Sequence, residues 1–511
     1  MMTNRYYQLL KKNIDSLIAG IIGFIVIYLF TKHSGIGISP DSIAYLSVAR
    51  NMGKGLGIID FSGRPMVDFP AFYAGVLFII SFITREDILV FAPILNGLLF
   101  ASVIYTSGCI MEKFMQPAKW YKWILLACIT LSPTMIEVFS MLWSETLFIL
   151  LSLLFFVALY QYLRTHSHYS LAGISFIAAV AFVTRYAGIT FIAIGGLLIL
   201  FDKNINAIKK IIHLLFFGSV GISLGLINII RNQIVSGSLA GIRQKSITPL
   251  YKNMEHYGSV LNDWLGFSMN NHDLFFILGI TIWLILGITF IIHIINFSNY
   301  STYENIGIIF FLIYTLFILL SSTLSRYETI NSRLLAPAFI PFIWSLSYYL
   351  PQWIKQTKTS QAKWLKITAS TIFSLLILCN ESMVIADNYS YMKDSGIPGY
   401  TEDDWALSDI VQYIKKNNDL FKLGEQIYSN QNHAIYFYTN YQTQTVPETV
   451  HQQEVSAFYQ CKKSYLIWFN NELNKDLLSL SDINMHKKLT PIHRFKDGTI
   501  YLCTNDSSTV K

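Results

Sequence analysis

Residues Ser39–Tyr73 read SPDSIAYLSVARNMGKGLGIIDFSGRPMVDFPAFY. The segment is polar, punctuated by glycine, and follows directly on a strongly apolar stretch, which places it at the outer mouth of a membrane domain. Asp41 is followed four residues on by Tyr45. In a helix starting at Asp41 the two share one face, because positions i and i+4 are neighbours. An acid at a membrane boundary is costly unless it is solvated or used, so Asp41 is the first candidate for chemistry.

The rest of the chain supports the membrane reading. Its 511 residues are 53% hydrophobic, 15% aromatic and 14% charged, with a mean hydropathy of +0.43. Soluble domains carry about 25% charged residues, so this is a polytopic α-helical membrane protein whose natural partner is the lipid bilayer. The formal charge of +7 is what Lys- and Arg-rich cytoplasmic loops supply. No aromatic–basic platform for nucleic acid occurs, and no nucleic-acid partner is expected. Neither CxxC nor HExxH is present, and His256, His272 and His293 are scattered, so no cofactor or metal site is expected, although a divalent ion is compatible with the chain. Cys109, Cys128 and Cys379 fall in apolar runs. Cys461 and Cys503 fall in the polar tail and can pair if it lies outside the cytoplasm, which spacing alone does not decide. The start, with a basic lead, a long apolar run and no small-residue cleavage site, reads as a retained first helix.

A span needs about 20 apolar residues. The runs 14–31, 88–111, 120–138, 143–163, 211–230, 274–297, 305–323, 334–350 and 367–386 qualify. Basic connections occur at Arg5, Lys11 and Lys12, at 112–122, near Arg164, at 202–210 and at 352–366. All can be cytoplasmic if residues 69–84 lie along or dip into the outer face without crossing. The other arrangement has 69–84 spanning and one weak segment not. Residues 171–201 are too long for one span and are interrupted by Thr184-Arg185-Tyr186, so a hairpin of two short helices with Arg185 at its outer turn is expected. This gives about eleven membrane helices, a cytoplasmic N-terminus, and outer loops at 32–87, 139–142, the Arg185 turn, 231–273 and 324–333. From 387 the composition becomes polar and mixed. EQIYSN, KKSYLIWFN and GTIYLC read as strands, DDWALSDIVQYIKKN and NHAIYFYTN as helices, and KDG as a hairpin turn. The expected organisation is a membrane catalytic domain over 1–386 and a small extracytoplasmic α/β domain over 387–511.

On this topology the outer face gathers Asp41, Tyr45, Arg50, Asp60, Arg64, Asp68, Glu145, Arg185, Arg231, Asn232, Arg243, Lys245, Arg326, Glu328 and Arg333. Arginines at a membrane surface suit a phosphate, because the guanidinium fork matches phosphate oxygens. A carboxylate nearby suits a general base acting on a hydroxyl. Together they fit attack on a sugar joined to a lipid phosphate. Plainer roles exist for each residue. Asp41 can cap a helix after Ser39-Pro40, and Tyr45 can be an interface aromatic. Asp68 can fix a turn, Glu145 can cap a helix or pair with an arginine, and Arg231 and Arg333 can snorkel at helix ends. Arg185, inside a hydrophobic hairpin, is the hardest to explain structurally, since intramembrane arginine is expensive.

In order along the chain, these landmarks resemble the GT-C membrane glycosyltransferases, in the phospholipid-carrier-dependent branch that includes protein O-mannosyltransferases and lipid A aminoarabinose transferases. Asp41-x-x-x-Tyr45 with Gly55 and Gly57 resembles the family's first outer loop with its catalytic acid. Asp68-Phe69-Pro70-Ala71-Phe72-Tyr73 resembles its juxtamembrane Pro-Pro-Leu-Tyr stretch. Ser144-Glu145-Thr146-Leu147-Phe148 resembles its second acidic landmark, Thr184-Arg185-Tyr186-Ala187-Gly188 its threonine–arginine step, Arg231-Asn232 with Gly237 its helix-end pair, and Arg333-Leu334-Leu335-Ala336-Pro337 its late arginine–proline helix start. The likeness covers about residues 14–350. Ser42 stands where several members have Glu, Ala71 where they have a second Pro, and no lysine follows it, which shifts donor-phosphate binding toward the arginines.

The resemblance implies inverting transfer of a sugar from a polyprenyl-phosphate carrier to an acceptor (lipid, glycan or protein) outside the cytoplasm. It casts Asp41 as the base, Glu145 as a second acid orienting the acceptor or an arginine, and Arg185, Arg231 and Arg333 as phosphate contacts, with Tyr45 and Asp68 in the substrate site. Two rivals share parts of this pattern. A flippase or transporter of lipid-linked sugars needs charges near the midplane and often paired repeats, and none is visible. A ligase or polymerase using a pyrophosphate-linked donor shares the arginine logic.

Overall fold

Apolar runs fix where the helices form, and proline, glycine and capping residues fix where they break. The computed structural model describes residues 13–114, 119–241, 243–267, 269–297, 299–326, 328–355, 359–417, 420–421, 425–470 and 474–505. The basic residues Arg5, Lys11, Lys12 and Lys358 lie outside these. The chain divides into two compact units: the segment up to Lys32 with Val67–Tyr391, and His33–Met66 with the segment from Met392 onward.

The first unit opens with α1 (Ile14–Phe30). After α2 (Pro40–Gly53), which belongs to the second unit, come α3 (Phe72–Thr84), α4 (Ile88–Phe114), α5 (Lys119–Thr130) and α6 (Pro133–Ser140). Next are α7 (Glu145–Thr165), α8 (His168–Thr184), α9 (Ile189–Phe201), α10 (Ala207–Ser236) and α11 (Leu250–Trp264). The unit closes with α12 (His272–Asn296), α13 (Tyr303–Leu324), α14 (Ser332–Lys355) and α15 (Ser360–Ser395).

Among the described residues six helices, α4, α7, α10, α12, α13 and α15, are long and apolar enough to cross a membrane. The pair α5–α6 makes a seventh if it counts as one span bent by 45°. Eleven were expected. The difference lies partly in short helices: α3 and α9 have 13 residues each, and at 1.5 Å per residue each reaches about 20 Å, short of a hydrocarbon core of about 30 Å. The bend at α5–α6 interrupts the run expected as one span over 120–138. Its cause is local: Ser132 Oγ accepts the Met135 amide at 3.4 Å and Pro133 occupies the first helical position.

The expected hairpin over 171–201 is present as α8 and α9. Arg185 leaves the helix with extended backbone (φ −147°, ψ 142°) and a 3-10 turn, Tyr186–Gly188, follows. Gly188 is required there: a Cβ would lie 2.3 to 2.4 Å from backbone atoms of Ala181 and Phe182. The amphipathic helix α11 was not expected and falls inside the loop read as 231–273.

The other end of this bundle is tied by a buried ion triad. Lys122, 1% exposed, donates from Nζ to Asp15 Oδ1 and to Glu112 Oε2, both at 2.9 Å, and Trp123 Nε1 donates to Asp15 Oδ2 at 3.2 Å. This links α1, α4 and α5.

The second unit contains α2, then α16 (Asp403–Ala406), α17 (Asp409–Lys416), β1 (Gln426–Ser429), α18 (Asn432–Thr439), β2 (Gln444–Thr445), α19 (Gln452–Gln460), β3 (Lys463–Phe469), α20 (Leu480–His486), β4 (Lys487–Arg494) and β5 (Gly498–Asn505). The five-stranded sheet has the order β2-β1-β3-β5-β4. β1 runs parallel to β2 and β3, while β5 is antiparallel to β3 and β4. Side chains alternate along a strand, which gives the sheet two cores. Ile427, Ile467 and Phe469 pack with Ile410, Val411 and Ile414 of α17 and Ile435 of α18. Leu466 and Trp468 pack with Phe458 of α19 and Ile483 of α20. Residues 33–66, expected as an outer loop of the membrane domain, join this unit. Tyr400 donates its amide to Ile38 O at 2.8 Å, Gln444 Nε2 to Ser62 O at 2.9 Å, and Arg64 Nη1 to Glu454 Oε1 at 2.9 Å. Cys461 and Cys503 are both free.

Two outcomes follow from these buried groups. Lys122→Ala strands two carboxylates, and loss of one partner from a buried pair costs about 3–5 kcal/mol; thermal unfolding in detergent should show a large drop in midpoint, and an unchanged midpoint would contradict it. In the second unit His433 packs on Phe61 and Tyr400, and burial pushes it down to about 4. The unfolded value is about 6.5, so the stabilisation is complete above that value and is lost as pH falls through it toward 4. His433→Gln should flatten the stability–pH curve over that window, measured by denaturant unfolding at each pH.

Candidate functional site

The conspicuous polar cluster of the first unit forms where three helix ends meet. Glu145 is the first residue of α7, Arg185 is the turn between α8 and α9, and Arg333 begins α14 one residue after Ser332. Glu145 is 1% exposed. Its Oε2 meets Arg185 Nη1 at 2.5 Å, and its Oε1 accepts from Arg333 Nε at 2.8 Å. Arg185 Nη1 also donates to Ser144 Oγ at 2.9 Å. The Arg333 guanidinium lies 3.9 Å over the Trp143 ring, within cation–π range. Its Nη1 reaches Glu328 Oε1 at 3.5 Å.

Trp143, Ser144 and Glu145 are consecutive, so one chain segment supplies the stacking face, the hydroxyl and the carboxylate. Two guanidinium groups share one buried carboxylate, which fixes their geometry, and Arg333 also faces Glu328 and Glu137.

A second network begins at the next residue. Tyr186 donates its hydroxyl to Val67 O at 2.8 Å, and Asn232 Nδ2 donates to Tyr186 Oη at 2.9 Å and to Leu239 O at 3.0 Å. Asn232 is buried, and its Oδ1 accepts from Arg231 Nη1 at 3.1 Å. Arg243 donates from Nη2 to Asp68 O at 3.2 Å. The Asp68 carboxylate lies against Gly241, whose φ is +76°; a Cβ there would fall 1.7 Å from Asp68 Oδ1. Of the sequence candidates, the structure therefore brings Glu145, Arg185 and Arg333 together and places Asp68 and Arg231 in the neighbouring network. Asp60 caps its own loop, accepting from the amides of Ser62 at 2.8 Å and Arg64 at 3.0 Å.

Asp41 and Tyr45 belong to α2 of the second unit. The cap of α2 is Ser39, in a reciprocal capping box with Ser42: the Ser39 amide donates to Ser42 Oγ at 3.0 Å and the Ser42 amide to Ser39 Oγ at 3.4 Å. Asp41 is therefore in the first turn without being the cap, and it is half-buried. Tyr45, on the same helix face by spacing, is 1% exposed, so its ring is a packing element of α2 rather than a membrane-interface aromatic. Trp143 is a site residue beyond the sequence candidates, and its place directly before Ser144-Glu145 is the signal for it. Tyr186 enters the sequence pattern only as part of the Thr184–Gly188 landmark. Among the described residues no group of three or more His, Cys, Asp or Glu side chains is placed to hold a metal ion.

This arrangement of membrane helices followed by a small α/β unit is the GT-C glycosyltransferase fold. The chain is similar to the crystal structure of ArnT from Cupriavidus metallidurans in the apo state, with a TM-score of 0.53 and 10% identity over 98% of each chain. It is similar to the same protein bound to undecaprenyl phosphate, with a TM-score of 0.55 and 11% identity over 99% of each. It is also similar to the archaeal oligosaccharyltransferase AglB from Archaeoglobus fulgidus, in complex with an inhibitory peptide and a dolichol-phosphate. There the TM-score is 0.50 and the identity 11%, covering 91% of this chain and 70% of that one. No protein-family model and no curated protein matches the sequence.

Removing the shared carboxylate should be felt structurally. Glu145→Ala leaves two partly buried guanidinium groups without their shared carboxylate, with an expected loss of up to about 3–5 kcal/mol. Glu145→Gln keeps the shape and should lose less. Detergent melting curves that rank Ala below Gln below the parent protein would agree; equal midpoints would remove Glu145 from this role.

Proposed function

We propose that this chain is an integral membrane glycosyltransferase that moves a sugar from a polyprenyl-phosphate carrier to a hydroxyl acceptor outside the cytoplasm. The observation that carries the reading is the buried carboxylate of Glu145 clamping Arg185 and Arg333 within a GT-C fold. Solved structures of that fold carry polyprenyl phosphates: undecaprenyl phosphate in ArnT and dolichol-phosphate in AglB.

In the proposed reaction the acceptor oxygen bonds to the anomeric carbon as the bond from that carbon to the carrier phosphate breaks, with inversion. Asp41 takes the acceptor proton. The carrier phosphate leaves with the electron pair and an added negative charge. Arg185 and Arg333 meet that charge with donors already aimed, so little reorganisation is needed as it develops. Glu145 acts through the arginines as a positioning residue. Arg231 is assigned to the carrier phosphate, and Asp68 and Tyr45 to shaping the substrate site. No cofactor is assigned. In this reading the N-terminus and the basic connections near Arg164 and at 202–210 are cytoplasmic, so the Arg185 turn between them faces the acceptor side, and the tail from 387 is likewise outside the cytoplasm.

The test is transfer of labelled sugar from a polyprenyl-phosphate donor in membranes, at matched expression. Asp41→Asn should lower the rate by about 10²–10⁴, the span of general-base contributions. Arg185→Lys keeps the charge but loses the planar fork and should cost on the order of 10²–10³. Undiminished transfer in Asp41→Asn removes Asp41 as the base, and undiminished transfer in Arg185→Lys removes the guanidinium from the phosphate.

A further inference from the structure

The sheet of the second unit has a topological break. From β1 the chain goes through α18 to β2 on one side, then returns through α19 to β3 on the other side of β1. The helices that follow β1 and β3 leave toward opposite faces. Ile435 of α18 packs on the face of Ile427 and Ile467; Ile483 of α20 packs on the face of Leu466 and Trp468. Two adjacent parallel strands whose onward connections diverge leave a crevice beyond their carboxyl ends, and open α/β sheets bind ligands in that crevice.

A cavity of about 140 Å³ occupies this place, lined by Asn430 just after β1, Trp468 on β3, and Asn474, Lys475, Leu477, Leu478 and Ser479 of the segment after β3. Asn430 bridges the two strands beyond their ends: its Nδ2 donates to Phe469 O and its Oδ1 accepts the Phe469 amide, both at 2.9 Å. That bridge braces the floor of the crevice, since the side chain spans from β1 to β3.

We infer that this crevice is a second binding site, separate from the arginine cluster, for a single sugar ring carrying an anionic substituent. Size, charge and wall chemistry lead to that class. Drug-sized ligands need about 300 Å³ or more, so the space suits one ring and excludes a nucleotide or an oligosaccharide. Among the described residues of the lining Lys475 is the only ionisable side chain, which favours an anion over a cation. Trp468, 9% exposed, with Leu477 and Leu478 gives an apolar wall for a ring face, while Asn430 and Asn474, whose Oδ1 atoms accept the Phe469 and Asp476 amides, bring amide N–H donors for ring hydroxyls; the Ser479 hydroxyl is spent on Asp482 in the cap of α20. The existence of the site stands independently of the transferase reading. The choice of a sugar as its occupant rests on that reading, and makes this unit the place where an acidic or phosphorylated acceptor sugar is recognised.

The experiment uses the full-length protein in detergent and saturation-transfer NMR with four probes: glucose, glucuronate, glucose 6-phosphate and inorganic phosphate. Saturable binding of glucuronate and glucose 6-phosphate is expected, with glucose at least 10-fold weaker. Lys475→Ala and Asn474→Ala, both exposed positions, should weaken it 10-fold or more at an unchanged melting midpoint. Asp41→Asn should leave it intact while transfer is lost. Binding by inorganic phosphate as strong as by the sugars overturns the inference, as does no saturable binding or binding indifferent to Lys475→Ala. If transfer requires Asp41 and the sugars do not bind, the inference alone fails. If they bind as expected and no transfer occurs, the transferase reading fails and the site remains.

Discussion

A carboxylate that water cannot reach organises the end of the first unit where α7, α8 and α14 meet. An isolated carboxylate moved from water to a medium of low dielectric costs on the order of 20 kcal/mol by idealised solvation, and several kcal/mol after relaxation. Glu145 meets that cost with two guanidinium groups at 2.5 and 2.8 Å. The pairing runs both ways: the arginines can be held in a membrane protein because Glu145 neutralises part of their charge. Three helix ends therefore have to converge, since each contributes one member. Glu328 does not cancel the remaining charge. At 3.5 Å and 44% exposed, it belongs with surface pairs worth about 0–1 kcal/mol. Two guanidinium groups in fixed orientation remain, and that property connects packing to the proposed phosphate chemistry.

The Arg185-Tyr186 dipeptide couples this centre to the neighbouring network. Its first side chain enters the Glu145 cluster and its second enters the Asn232 network, which holds Val67, Leu239 and the end of α10. Extended backbone at Arg185 sends the two side chains in different directions. Gly188 lets the turn press against the end of α8. A short helical hairpin thereby aims one arginine with the precision of rigid elements, which a free loop does not achieve.

Much of this was legible before the coordinates. Length and a central arginine are enough to read 171–201 as a hairpin; Arg185 stands out because intramembrane charge is expensive, and Glu145 and Arg333 because acids and arginines gather on one expected face. Their partnership was not legible, since Glu145 and Arg333 stand 188 residues apart and no local pattern links them. The helix α11 was missed because its apolar positions alternate with Asn, Glu, His and Asp in a stretch that reads as a polar loop. Residues 33–66 were assigned to the membrane region by proximity in sequence, yet their amide and carboxamide partners lie beyond residue 391. The buried ring of Tyr45 shows the limit of spacing arguments: i and i+4 share a face, but spacing does not say whether that face is wet.

The same physics explains how a fold can persist at 10–11% identity. A membrane helix needs apolar composition and length, and Leu, Ile, Val and Phe meet that need almost interchangeably. Such positions can change without changing the fold, so overall identity says little about architecture. Buried charges have no such freedom, because replacing one member of the Glu145 cluster exposes the others to the full cost of desolvation. The recognisable signal in a chain like this one therefore concentrates in a few polar residues at helix ends. Those are the residues on which both the resemblance and the proposed chemistry rest, and a sparse signal of this kind is carried by order and geometry rather than by percentage identity.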